Sequence, residues 1–283
     1  MTDNAFHFSG VGYSYGPARA LDNIGFTVTS GEKLALLGAN GSGKSTLLRM
    51  MDALCFPDGG TATACGMTLS ATAFADEDTN FAFRRRVGLV FQNPDVQMFN
   101  PTVMDELAFG PLQLGWSTTE VRREIDNMLV RFNLTQLKDR PPHRLSGGEK
   151  KRVAIASVLI CKPQILLLDE PTAALDPASK SDLVSFLSRE LGEDRTVVTA
   201  THDLDIVEDI SSRTIVLDRG SIAADGATLD IIHDTALLQR THLVFPHHHS
   251  HPKAGPYGKS HSHIHEPPAK ATPSFDFDHG AKD

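Results

Sequence analysis

The spacing of apolar residues changes several times along this chain, and each change marks an element. Between residues 5 and 37 apolar and polar positions alternate, with Gly and Pro as punctuation, which predicts short strands. Lys33 to Leu37 is the best candidate for a buried strand, and a Gly-rich turn and a helix over Lys44 to Leu54 follow it. Residues 71–86 are polar and charged, a loop and the start of a helix, and Val87 to Phe91 reads as a strand. From Thr118 to Phe132 the period lengthens: Val121, Ile125, Met128, Leu129 and Phe132 fall on one helical face. A further helix should run from about Gly147 to Cys161 and stop at Pro163. Ile165 to Leu168 is unbroken apolar sequence, which suits a strand covered on both faces. Ser179 to Leu191 reads as a helix and Thr196 to Ala200 as another central strand. Strands alternating with helices argue for an α/β fold with a mainly parallel sheet.

Composition narrows the picture. A chain of 283 residues, 40% hydrophobic and 22% charged, can bury a full core without staples. Its formal charge of −8 disfavours general nucleic-acid binding, which needs many phosphates neutralised. The cysteines Cys55, Cys65 and Cys161 match neither a disulfide framework nor a zinc motif, and a reducing cytosol fits them. The first residues do not read as a signal peptide, and the richest apolar run, Val153 to Cys161, is too short for a membrane helix. After about Phe245 the texture changes. Nine of the 13 histidines fall between His242 and His279 among Pro, Gly, Ser and Lys, with too few large apolar residues to pack, so a disordered tail is expected.

Chemistry is concentrated in a few segments. Gly38, Ala39, Asn40, Gly41, Ser42, Gly43, Lys44 and Ser45 match G-x-x-x-x-G-K-[ST], with Thr46 next, between a predicted strand and a predicted helix. Glycines let the backbone close around phosphates so that successive N–H groups point inward, and the helix start adds its positive end. Lys44 is then expected on the β- and γ-phosphates of ATP and the Ser45 hydroxyl on Mg²⁺. The strand Ile165 to Leu168 runs into Asp169 and Glu170, which puts two carboxylates at the carboxyl edge of the sheet, where ligands bind. Asp169 suits Mg²⁺ held through water, and Glu170 suits a general base for the attacking water.

Leu145-Ser146-Gly147-Gly148-Glu149 opens a helix about twenty residues before Asp169. Here the chain resembles the ABC ATPase family, whose signature reads LSGGQ or a close variant; Glu149 departs from the commoner Gln. Read as structure alone, the same residues are a helix cap with a flexible lead. The resemblance covers roughly residues 5–240. It implies a RecA-like P-loop NTPase core with a mainly parallel sheet, an antiparallel N-terminal β subdomain and a helical signature subdomain at about 93–161. The expected division is an ATPase domain over 1–240 and the His-rich tail over 241–283. The resemblance also implies that Ser146, Gly147 and Gly148 grip the γ-phosphate of ATP held by another subunit. It makes Tyr15 the aromatic stacked on adenine, against plain packing; Gln92 the glutamine that touches Mg²⁺ and senses the membrane subunit; Asp176 a dimer-interface residue, against a helix N-cap; and His202 a γ-phosphate contact. Glu170 and His202 are the expected catalytic pair, with Ser45, Gln92 and Asp169 at the metal.

Within the family, the stretch from Phe91 to Val103 and on to Pro111 resembles the energy-coupling-factor (ECF) importers, and the His-rich tail resembles their cobalt/nickel branch. That implies a motor at the cytoplasmic face of the membrane. It works as a pair of ATPase subunits, here expected to be a homodimer, with a transmembrane coupling protein and a membrane substrate-binding protein. A vitamin-type ECF importer, or a soluble ABC ATPase unconnected with transport, stays open. Val96, Met98 and Phe99 either receive a helix of the coupling protein or pack the helical subdomain. The clusters His247, His248, His249, His251 and His261, His263, His265 suit weak binding of Ni, Co or Zn, or serve only as a solubilising tail.

Overall fold

The structure is a computed structural model that describes residues 4–189 and 194–244. Strands β1 (Asn4–Tyr15) and β2 (Ala18–Thr29) form a long antiparallel hairpin around Gly16 and Pro17. Strand β3 (Lys33–Leu37) leads through the glycine-rich loop into α1 (Lys44–Met51). Then come β4 (Gly59–Ala64), β5 (Met67–Thr68), the short helices α2 (Ala71–Phe74) and α3 (Glu77–Arg84), and β6 (Val87–Val90). Helices α4 (Val103–Gln113), α5 (Thr118–Arg131) and α6 (Gly147–Leu159) follow. The remainder is β7 (Ile165–Asp169), α7 (Pro177–Arg189), β8 (Thr196–Thr201), α8 (Leu204–Ile210), β9 (Arg213–Asp218), β10 (Ser221–Ala227), α9 (Thr228–His233) and α10 (Thr235–Arg240).

Two sheets organise these elements. The first is antiparallel, in the order β2-β1-β4-β5. The second runs β10-β9-β3-β8-β7-β6, parallel throughout except for the antiparallel edge strand β10. Both faces of the second sheet are covered. Leu34, Leu36, Leu167, Val198 and Ile215 pack toward α1 and the antiparallel sheet, while Ala35, Leu37, Leu166, Leu168, Val197 and Val216 pack toward the helices. Alternate residues of one strand therefore serve two cores, which is why β3 and β7 read as unbroken apolar runs. The parallel order brings the carboxyl ends of β3, β6, β7 and β8 to one edge, with Gly38, Gln92, Glu170 and His202 just beyond them. Among the described residues no helix is long and apolar enough to cross a membrane.

Several boundaries differ from the sequence reading. The N-terminal strands are twelve residues each rather than short. Helix α1 stops at Met51, three residues early, because Asp52 turns inward and Ala53 takes a left-handed φ of 53°. Helix α6 ends at Leu159, since Lys162 adopts a left-handed φ of 54° ahead of Pro163. Helix α7 begins earlier than expected, with Pro177 in its first turn, a place where the missing N–H costs nothing; its expected end at Leu191 lies outside the described residues. Residues 71–86 form two helices capped by Ser70 and Asp76. The sequence reading assigns no helix to α4, which contains Gly110 and Pro111; Thr102 caps it, and Val103, Leu107 and Pro111 bury one face. The compact unit closes at Leu243, and the His-rich tail lies outside the described residues.

Asp52 fastens α1 to α3. Its carboxylate is 6% exposed and accepts from Arg84 Nη1 at 3.0 Å, while the same nitrogen donates to the Asp52 carbonyl at 2.8 Å. Its Oδ1 is buried without a hydrogen-bond partner. Burial raises the carboxyl pKa to about 7, against the pull of Arg84. A carboxyl with a raised folded-state pKa keeps a proton that the unfolded chain has lost, so its contribution to stability falls as pH climbs from about 4 to 7. Asp52→Asn, which cannot ionise, should therefore gain stability over wild type by about 2 kcal/mol between pH 5 and pH 8. Urea unfolding at the two pH values measures this; a pH-independent difference would contradict the assignment.

Candidate functional site

The loop after β3 is shaped by positions that accept no side chain. Gly43 has φ 107°, and a Cβ there would stand 2.9 Å from the Ala20 carbonyl; at Gly38 it would stand 2.6 Å from the Leu217 carbonyl. Helix α1 starts without a side-chain cap, so its first N–H groups remain available to an anion. The buried Ser42 hydroxyl likewise has no hydrogen-bond partner. Lys44, 5% exposed, donates to the carbonyls of Gly38 at 2.6 Å and Ala39 at 3.3 Å, and its ammonium lies 3.4 Å from Glu170 Oε1.

The carboxylates close the other side. Asp169 ends β7, where Ser45 Oγ donates to its Oδ1 at 3.1 Å. Burial raises the Asp169 pKa; the Ser45 bond opposes this and the Glu170 charge adds to it. Glu170 is held in the left-handed region at φ 45°, its N–H donating to the Ala200 carbonyl at 2.9 Å. Backbone of this kind costs about 1–3 kcal/mol and persists only where the surroundings fix it. The Glu170 carboxylate meets His202 Nδ1 at 2.9 Å as well as Lys44, and accepts from Thr201 Oγ1 at 3.4 Å. A hard-oxygen pair, Ser45 and Asp169, beside an anion-ready loop suits Mg²⁺, which prefers such ligands and shares them with phosphates.

A cavity of about 530 Å³ runs along the loop, lined by Asn40 to Thr46 with Tyr15, Arg19, Gln92 and Glu170. Tyr15 is 46% exposed at the end of β1 and braced edge-on by Tyr13 at 4.9 Å, so its ring faces the cavity rather than the core. His202 opens instead onto a neighbouring cavity of about 470 Å³ that shares Glu170. Ser146, Gly147, Gly148 and Asp176 do not line the loop cavity. Gly147 joins Gln92 around a third space, of about 370 Å³.

Ser146 caps α6 through a reciprocal pair: its N–H donates to Glu149 Oε2 at 2.7 Å, and the Glu149 N–H donates to Ser146 Oγ at 3.3 Å. Those bonds hold the Glu149 carboxyl below its ordinary range. Gln would close the same capping box; what Glu149 adds is a negative charge at the helix's positive end. Asp176 caps α7, accepting from the N–H groups of Ala178 and Ser179 and from the Ser179 hydroxyl at 2.6 Å. The cap readings of both residues are therefore geometrically real, and neither cap closes off the exposed side of Ser146 or Gly147.

Near Gln92, Val96 and Phe99 are 69% and 68% exposed, and Phe99 rests edge-on against Phe109 at 4.9 Å. Met98 is buried in the core and belongs to the packing, not to a surface groove. Two residues escaped the sequence reading. Arg19 lines the loop cavity, paired with Asp22 at 2.9 Å. Lys151 is 3% exposed, and burial pushes its ammonium down to about 8 despite the opposing charges of Asp169 and Glu170. In sequence Lys151 is the middle of Lys150, Lys151 and Arg152, a basic run that reads as a solvated face; its one signal is that it follows Gly147 at the i+4 spacing of a helix whose next turn is apolar.

Comparison with known proteins agrees with this geometry. The family model described as ABC transporter matches residues 21–173. The nickel import ATP-binding protein NikO of Rhodobacter capsulatus is 51% identical over 243 residues, covering 85% of this chain and 96% of that protein. The structure of cbiO1 from Clostridium perfringens, part of the ABC transporter complex cbiONQ, matches with a TM-score of 0.72 and 33% identity over 85% of this chain and 95% of its own. The ATP-binding cassette MJ0796, dimeric in a post-hydrolysis state bound to ADP and Pi, matches with a TM-score of 0.70 and 27% identity over 79% of this chain and 98% of its own. With its phosphate loop, edge carboxylates and signature helix in place, the chain belongs to the ABC transporter ATP-binding family, whose chemistry is ATP hydrolysis coupled to transport.

Proposed function

We propose that this chain is the ATP-hydrolysing motor of an ECF-type importer for nickel or cobalt ions, bound peripherally at the cytoplasmic face of the membrane. The observation that carries the enzymatic part is the Glu170 carboxylate, fixed within 3.4 Å of Lys44 and 2.9 Å of His202 at the mouth of the phosphate loop. ATP lies along the loop with its adenine on Tyr15; Gly38, Ala39, Asn40, Gly41, Ser42, Gly43 and Thr46 hold the phosphates, and Lys44 turns from the loop carbonyls to the β- and γ-phosphates. Ser45, Asp169 and Gln92 would hold Mg²⁺, which supplies charge neutralisation to the phosphates. Glu170 polarises the attacking water and His202 steadies the γ-phosphate, so the protein contributes positioning and charge stabilisation.

The second half of the site comes from a second copy of the chain. Ser146, Gly147 and Gly148 lie outside the loop cavity of their own chain, and a helix N-terminus with a Ser and two Gly is a ready anion site. Two chains arranged head to tail supply it, each presenting α6 to the other's nucleotide and Asp176 to the interface; the dimeric state of the similar cassette supports this arrangement. ATP favours the closed pair, and only that difference in affinity between closed and open states does mechanical work. The exposed Val96 and Phe99, on the segment that follows Gln92, with Phe109 against Phe99, give the coupling protein an apolar seat. The likeness to a nickel importer's ATPase supports the cargo class. The tail histidines, outside the described residues, add weak capture of the same ions.

Glu170→Gln should lower kcat by about a hundredfold or more while the Kd for ATP stays within about threefold. Unchanged steady-state hydrolysis would remove Glu170 from the role of base. Phe99→Asp should abolish co-purification with the membrane subunits at an unaltered Tm; undiminished assembly would place the seat elsewhere. In cells, deletion of the gene should cut uptake of labelled nickel or cobalt, and unaffected uptake of both ions would overturn the cargo.

A further inference from the structure

Lys151 is buried on α6, five residues after Ser146, and its ammonium lies where three functional segments meet. It donates to the Gln92 carbonyl at 2.7 Å and to the Glu170 carbonyl at 3.4 Å. An ammonium has three donors and no acceptor, so a buried one must keep its carbonyls or lose its pairing. The loop carrying Gln92 is also tied to α6 elsewhere. Lys150 pairs with Asp95 at 2.6 Å, and Gln97 donates to the Ala154 carbonyl at 2.8 Å while accepting from the Phe91 N–H at 3.1 Å. Those bonds make the loop and α6 one piece, but neither reaches Glu170. Lys151 does, and the residue it reaches sits in left-handed backbone at φ 45° that needs holding from both sides.

We propose that Lys151 is a positioning residue for hydrolysis, transmitting displacement of α6 to the main chains of Gln92 and Glu170. The N-terminus of α6 is where the second copy's nucleotide docks, and the Gln92 loop is where the coupling protein docks. Either event shifts the ammonium and with it the peptide that aims the Glu170 carboxylate. The inference rests on the proposed role of Glu170 as base.

Steady-state ATPase and unfolding measurements on the full chain test it with Lys151→Met, which keeps the stem and removes every donor, and Lys151→Gln, whose shorter amide reaches only one carbonyl. Lys151→Met should lower kcat by about tenfold or more with KM for ATP within about threefold, because a base misplaced by a fraction of an ångström loses rate before binding. Lys151→Gln should fall between Lys151→Met and wild type, again at unchanged KM; if Lys151→Met does not fold, this variant decides alone. A folded Lys151→Gln with wild-type kcat would overturn the proposal, as would kcat losses matched by a rise in KM. Glu170→Gln measured alongside separates the two failures: if it hydrolyses normally, the assignment of the base is wrong, whereas a dead Glu170→Gln beside an active Lys151→Met sinks only the positioning role.

Discussion

Two carboxylates and an ammonium are crowded at the carboxyl edge of the central sheet, almost out of contact with water. Lys44 and Glu170 are 5% and 4% exposed and Asp169 is 7% exposed. Burying charge is expensive unless each group is paired, and here two acids face Lys44 and the buried Lys151, with His202 alongside. The fold tolerates this because the cluster is stitched to rigid backbone. Lys44 is anchored on loop carbonyls, Asp169 on Ser45, and Glu170 on β8 through its own N–H and Thr201. In the proposed function the cluster offers an electrostatic frame for a polyanion and its counter-ion: Lys44 turns to the phosphates as nucleotide binds, and Asp169 and Glu170 keep their anchors when the terminal phosphate is attacked.

The rest of the molecule serves that frame. Parallel β3, β6, β7 and β8 carry its members to one edge, and the two cores on opposite faces of the sheet keep the strands in register. Helix α6 spans the distance between the frame and the outer surface. Its capped N-terminus faces outward with Ser146 and Gly147 exposed, and one turn further in its Lys151 grips the backbone of Gln92 and Glu170. In the proposed mechanism, that one helix and one side chain form the short path from the surface to Gln92 and Glu170.

Much of this was legible in the residues because it is governed by local rules. A phosphate loop announces itself by glycines that no other residue can replace, and an apolar strand ending in Asp169 and Glu170 fixes where those carboxylates emerge. The strands β3 and β7 were readable because burial on both faces leaves Leu34 to Leu37 and Ile165 to Leu168 without a polar position, while β8 is as deeply buried yet keeps Thr196, Thr199 and Thr201. Features decided by tertiary contact were not. Helix α4 hides behind Gly110 and Pro111, whose helix-breaking tendency is outweighed by burial of Val103 and Leu107. Asp52 reads as one more residue of the predicted helix Lys44 to Leu54 until Arg84 is seen against it, and Lys151 looks solvated beside Lys150 and Arg152. Met98 and Phe99 are neighbours of one chemical type, yet the turn between them buries one and exposes the other.

In the proposed function one chain builds only half of a working site, and nucleotide joins two halves. Sedimentation velocity of Glu170→Gln protein, in which bound ATP persists, tests it most directly. With saturating Mg·ATP the protein should sediment as a dimer, and without nucleotide as a monomer; adding Ser146→Arg should hold it monomeric while ATP still binds. A chain that binds ATP fully and stays monomeric at every concentration would contradict the account.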